Sequence, residues 1–140
     1  MPQADFYLID KPRFHAQPLL LVCELVRRAH ARGLRVLVLA RDVAEAEALD
    51  ELLWSFDDDA FIPHQIAGDI DDGDTAVLIA PPGIETPDRE VVVNLREEAC
   101  QRNCVRLLEV VPAEADARAG SRARWRTYKQ RGYTLAKHDM

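Results

Sequence analysis

Apolar and polar positions alternate between two periods along this chain, and the changes of period mark out its elements. Residues 4–9 (ADFYLI) read as a short first strand. Lys11-Pro12 closes it, because proline has no backbone N–H to give to a ladder. Residues 19–31 then carry the helical period, with Leu19, Val22, Cys23, Val26 and His30 on the inner side, and Gly33 is placed to end the helix in a left-handed conformation. Residues 35–40 (RVLVLA) are apolar almost throughout, the pattern of a strand buried on both faces of a parallel sheet. Asp42 with Glu45 three positions on makes a capping-box pattern. The helix behind it runs to about Trp54 with Leu49, Leu52 and Leu53 facing in.

The segment SFDDDAFIPHQIAGDIDDGD that follows reads as a long loop punctuated by Pro63 and Gly68. Residues 77–80 (VLIA), 91–95 (VVVNL) and 105–111 (VRLLEVV) read as three more strands, the first stopped by Pro81-Pro82-Gly83. A last helix begins between Pro112 and Asp116 and ends at Gly132. Strands alternating with helices predict an α/β fold with a largely parallel, helix-covered sheet. Only three helices are strongly written, so some strand connections must be loops. With no repeat, low-complexity tract or linker, residues 1–140 are expected to form one domain.

Composition narrows the function classes. At 48% hydrophobic and 30% charged residues the chain has an ordinary globular make-up, and no apolar run approaches the length of a membrane span. The N-terminus lacks the design of a secretory signal, so the expected location is the cytoplasm. Cys23, Cys100 and Cys104 are odd in number and form no CxxC pair, which points to reduced structural thiols. There is no G-x-x-x-x-G-K-[ST] loop and no G-x-G-x-x-G turn. His15, His30, His64 and His138 have no metal-ligand spacing, and Cys100 and Cys104 lack a third ligand nearby. The acidic stretch from Asp69 to Asp74 misplaces the glycine of a calcium loop and has Ala80 where the bidentate Glu belongs, so a solvated acidic loop is expected there, as at Asp57-Asp58-Asp59. Catalytic residues, cofactor and metal are accordingly expected to be absent.

One stretch breaks the acidic balance. The chain has 18 Lys and Arg against 24 Asp and Glu, yet RAGSRARWRTYKQRGY, from Arg118 to Tyr133, holds six bases and no acid. At helical spacing Arg118, Arg122, Arg126 and Lys129 share a stripe roughly 80° wide with Trp125 at its edge. Such a stripe is either a solvated helix face or a docking site for something acidic with an apolar component. Trp54 and Phe61 flank the acidic turn-like stretch and are either core aromatics or a partly exposed ledge of the kind enriched in binding hot spots.

The segments ADFYLID, LVCELVRRAHARGLRVLVLARD, LDELLWSFDDDAFIPHQIAGD and SRARWRTYKQRGYTL together resemble the chi subunit of bacterial DNA polymerase III holoenzyme over nearly the whole chain. The resemblance implies a Rossmann-like fold without nucleotide chemistry. It also implies two partners, the psi subunit in a 1:1 heterodimer and the single-stranded-DNA-binding protein, whose acidic C-terminal tail ends in an aromatic residue. Carried over by position, the tail site would comprise Arg118, Arg122, Trp125 and Arg126, with Lys129 on the same stripe. Trp54, Phe61 and Val111 would be its apolar lining. Two other readings remain: a small α/β enzyme acting on an anionic substrate, and a direct single-stranded DNA binder using the same cations with Trp125 or Tyr128 for stacking. Missing catalytic constellations weigh against the first, and a net charge of -6 weighs against the second.

Overall fold

The first strand, β1 (Gln3–Leu8), is followed by a one-turn helix, α1 (Pro12–Ala16), and then by α2 (Leu19–Ala31). The chain continues through β2 (Val36–Leu39), α3 (Val43–Ser55), β3 (His64–Ile66), β4 (Val77–Ala80), β5 (Val91–Asn94), β6 (Arg106–Val111), α4 (Ala115–Gln130) and β7 (Thr134–Asp139). The structure is a computed structural model and describes every residue except Met1, Asp58, Ala60 and Ile70. All strand pairings are parallel, and the sheet order is β3-β4-β2-β5-β6-β1-β7. This is a Rossmann-like α/β architecture. Among the described residues, the connections from β3 to β4, β4 to β5 and β5 to β6 contain no helix, in keeping with the few helices written in the sequence.

The central strands β2, β4 and β5 are buried at every position, which explains their unbroken apolar runs. Alternate side chains feed two cores. Val36 and Val38 point to the face covered by α2 and α3, where Val22, Val26, Leu49 and Leu53 pack. Leu37 and Leu39 point to the opposite face, shared with Phe6, Leu107 and Tyr128 of α4. The Asp42 carboxylate caps α3 by accepting from Glu45 N at 2.7 Å, and the Glu45 carboxylate reaches back to Arg41 N at 2.8 Å.

Several sequence expectations need correction. The inner arc of α2 is wider than expected: Leu21, Leu25 and Ala29 are buried, while Leu19 and His30 are only half-buried, because the helix also packs against α1 and α3. Leu52 is likewise half-buried. The loop after α3 contains β3, an edge strand of three residues, too short to show a period. The chain after Gly132 forms β7, an edge strand paired with β1 alone, whose polar sequence TLAKHD carries no apolar run. Asp72 is not solvated. It is 9% exposed, and its carboxylate accepts from Gly68 N at 2.8 Å, Asp69 N at 3.1 Å and Gln65 Nε2 at 2.9 Å, closing the loop. Of the two acidic stretches, Asp58 and Ile70 lie outside the described residues.

Candidate functional site

Helix α4 presents two different sides. Its inner side carries Tyr128, fully buried, and Ser121, also buried. Phe6 of β1 meets Trp125 edge to face, with ring centroids 5.0 Å apart, and Tyr133 stacks on Tyr128 at 5.4 Å. Beneath the helix, Glu109 of β6 is fully buried and is the hub of a polar network. It accepts from Tyr128 Oη at 2.6 Å, Asn94 Nδ2 at 2.9 Å and Arg124 Nε at 2.9 Å. Burial pushes the Glu109 carboxyl above its ordinary range despite these donors. Tyr128 Oη in turn accepts from Cys100 N at 2.9 Å, and Arg124 also donates to the Glu97 carbonyl. The network ties α4 to the sheet and to the loop after β5, so the other face of the helix is held in a fixed orientation.

That outer face borders a cleft of about 470 Å³ between α4 and strands β6, β1 and β7. Val111, Phe6 and Leu8 supply its apolar floor. Arg118, Arg122 and Arg126 stand along one wall with Trp125 between them, and all three arginines are exposed. Lys137 of β7 contributes a further cation from the opposite side. Composition alone could have flagged Lys137 only if β7 had been recognised, because on an edge strand its parity decides which face it takes.

Three sequence candidates lie elsewhere. Lys129 is exposed on the last turn of α4, past the cleft, where a cation offsets the helix C-terminal dipole. Trp54 and Phe61 are 62% and 74% exposed, with ring centroids 6.3 Å apart, and Trp54 also lies 4.8 Å from the His64 ring. They form a ledge where α3 meets β3, on the side of the sheet away from α4, so they do not line the cleft with Trp125. Neither is a core aromatic.

Nothing in the cleft pairs an acid with a nucleophile. Among the described residues no group of three or more His, Cys, Asp or Glu is placed to hold a metal ion, and no helix is long and apolar enough to cross a membrane. Burial pushes the Cys23 thiol up to about 12 and the Cys104 thiol up to about 11, so both stay protonated and unreactive near neutral pH.

Fold and cleft together define a Rossmann-like α/β protein whose basic, apolar-floored concavity suits an anionic ligand with one hydrophobic end. The sequence profile of the family described as DNA polymerase III chi subunit, HolC, matches residues 1–136, and the chain belongs to that family. It is 35% identical to the DNA polymerase III subunit chi of Pseudomonas aeruginosa over all of this chain and 98% of that one. It is 30% identical to the subunit of the same name from Escherichia coli K12, with 96% of each covered. Family membership makes it an accessory, non-catalytic subunit with a role in DNA replication. Two solved structures share only the fold: T4 UvsW, with a TM-score of 0.69 at 8% identity, and S. cerevisiae dbp5, with 0.64 at 16%. The chain covers 41% of each of those proteins, which in turn match 99% and 97% of it.

Proposed function

We propose that this subunit links the polymerase holoenzyme to the single-stranded-DNA-binding protein by holding that protein's acidic C-terminal tail in the α4 cleft. The observation that carries this reading is the meeting of Arg118, Arg122, Arg126 and Lys137 around a floor of Phe6, Leu8 and Val111, walled by Trp125. An acidic peptide that ends in an aromatic residue needs cations in a row and one apolar slot. The cations steer and orient it, and the buried ring contributes much of the affinity. The second partner, the psi subunit, is assigned to the Trp54–Phe61 ledge. Exposed contacting aromatics are typical binding anchors, and this pair faces away from the cleft, so both partners fit at once.

The test is a titration of a labelled acidic peptide ending in phenylalanine against wild type, Arg122→Ala and Arg126→Ala. Each substitution removes charge-assisted hydrogen bonds and is expected to weaken binding by about 1–3 kcal/mol with the fold intact. Unchanged dissociation constants in both variants would overturn the assignment.

A further inference from the structure

Residues 42–59, which form the start of α3, its body and the turn after it, hold eight acids and no base. Asp42 and Glu45 are engaged in the cap at the start of the helix. Five others sit around the Trp54–Phe61 ledge. Glu47, Asp50 and Glu51 stand seven, four and three positions before Trp54, spacings that share one face of a helix. The Asp50 carboxylate lies 3.4 Å from Nε2 of His64, whose ring packs on Trp54. Asp57 and Asp59 line an open hollow with Phe61 and Ile62. Arg27 and His30 border the same hollow, but Arg27 is paired with Glu24 and His30 is half-buried. Among the described residues Glu47, Glu51, Asp57 and Asp59 form no salt bridge. The ledge is thus an exposed aromatic pair set among unpaired carboxylates.

We propose that the ledge takes a basic, apolar segment of its partner, in which lysine or arginine side chains flank the apolar residue that covers Trp54 and Phe61. The inference rests on the assignment of the psi subunit to the ledge and adds the chemistry of the segment that psi presents there. Any partner that covers the two rings also covers part of the acidic surround. An acidic or neutral segment would leave those carboxylates desolvated without a counter-charge, which is costly. A guanidinium or ammonium answers both parts of the surface. It pairs with a carboxylate, and it rests on the face of an indole or phenyl ring. The same charge turns the acidic tail away from the ledge, although the ledge offers it exposed aromatic surface. The α4 cleft, walled by Arg118, Arg122 and Arg126, turns away the basic segment for the opposite reason. Charge therefore sorts the two partners between the two aromatic surfaces.

The experiment measures association and dissociation rates of the purified psi subunit with the full chain at low and raised salt, with the acidic peptide ending in phenylalanine as a parallel arm. Association with wild type should slow about tenfold as salt rises, because opposite charges steer the encounter. The Glu51→Lys, Asp59→Lys double variant should associate about tenfold more slowly than wild type at low salt and lose most of that salt dependence. The neutral pair Glu51→Gln, Asp59→Asn should fall between the two. Both double variants should keep wild-type affinity for the acidic peptide, which also shows that they fold. Trp54→Ala should speed dissociation and keep the salt dependence. The inference is overturned, with the ledge assignment intact, if Trp54→Ala weakens psi binding while the charge-reversed variant associates as fast as wild type or faster. If wild type does not bind psi, or if Trp54→Ala and the charge-reversed variant both bind it as wild type does, the ledge assignment falls and this inference falls with it.

Discussion

The Tyr128 hydroxyl donates to Glu109 Oε2 at 2.6 Å between α4 and the sheet, and no water is needed to complete the pair. Arg124 holds the other carboxylate oxygen at 2.9 Å. Removing one member of such a buried group strands the rest. Glu109→Leu leaves the Arg124 guanidinium and the Tyr128 hydroxyl without their acceptor and should destabilise the fold by about 3–5 kcal/mol. Tyr128→Phe keeps the ion pair and should cost about 1–3 kcal/mol. Urea unfolding of the two variants checks the order, and a Glu109→Leu protein as stable as wild type would contradict it.

The cleft predicts a division of labour between charge and apolar contact. An exposed ion pair contributes about 0–1 kcal/mol and is screened by salt, whereas burying one phenylalanine contributes roughly 1.5–3 kcal/mol. Deleting the terminal aromatic of the tail peptide should therefore cost more than deleting one acid, and the loss should persist at raised salt. Trp125→Ala should reduce the difference between full and truncated peptides. An equal difference in wild type and variant would remove Trp125 from the slot.

Lys137→Ala should weaken the same peptide by about 0.5–1 kcal/mol, with the effect fading as salt rises, because this cation is exposed. Calorimetric titration at low and high salt separates this from the salt-insensitive apolar loss.

Trp54→Ala and Phe61→Ala should leave peptide binding unchanged and weaken pairing with the psi subunit by about 1–2 kcal/mol or more, the range of hot-spot aromatics. Parallel titrations with peptide and with psi decide between them. Loss of peptide affinity alone would return both aromatics to the tail site.

The Asp5 carboxyl predicts an acid-side effect. Burial pushes it up, but the hydrogen bonds from His138, Arg106 and Gln3 together outweigh burial and hold it below the ordinary value of about 3.9. A depressed acid contributes stability above its unfolded value and loses it as pH falls through the folded one. Stability should thus fall below about pH 4, and Asp5→Asn should flatten that limb while lowering the plateau at neutral pH. Denaturant midpoints measured from pH 3 to 7 test both signs.

Local periodicity was enough to place most elements. The buried runs at β2, β4 and β5 are apolar because both faces of a central parallel strand are covered, and the Asp42–Glu45 cap needs only its own turn. The basic side of α4 was legible for the same reason: Arg118, Arg122 and Arg126 are neighbours on a helix whatever the helix packs against. What stood opposite them was not legible. Val111 was named only through the family resemblance, and Phe6 and Lys137 not at all; they reach the cleft because β6, β1 and β7 lie side by side, an order that arises from crossovers and leaves no trace in any one segment. The ledge shows the converse. The family resemblance placed Trp54 and Phe61 with Trp125, but α3 and α4 cover opposite faces of the sheet. The side a helix takes is decided by the direction of its crossover, so only the folded chain could keep these residues apart.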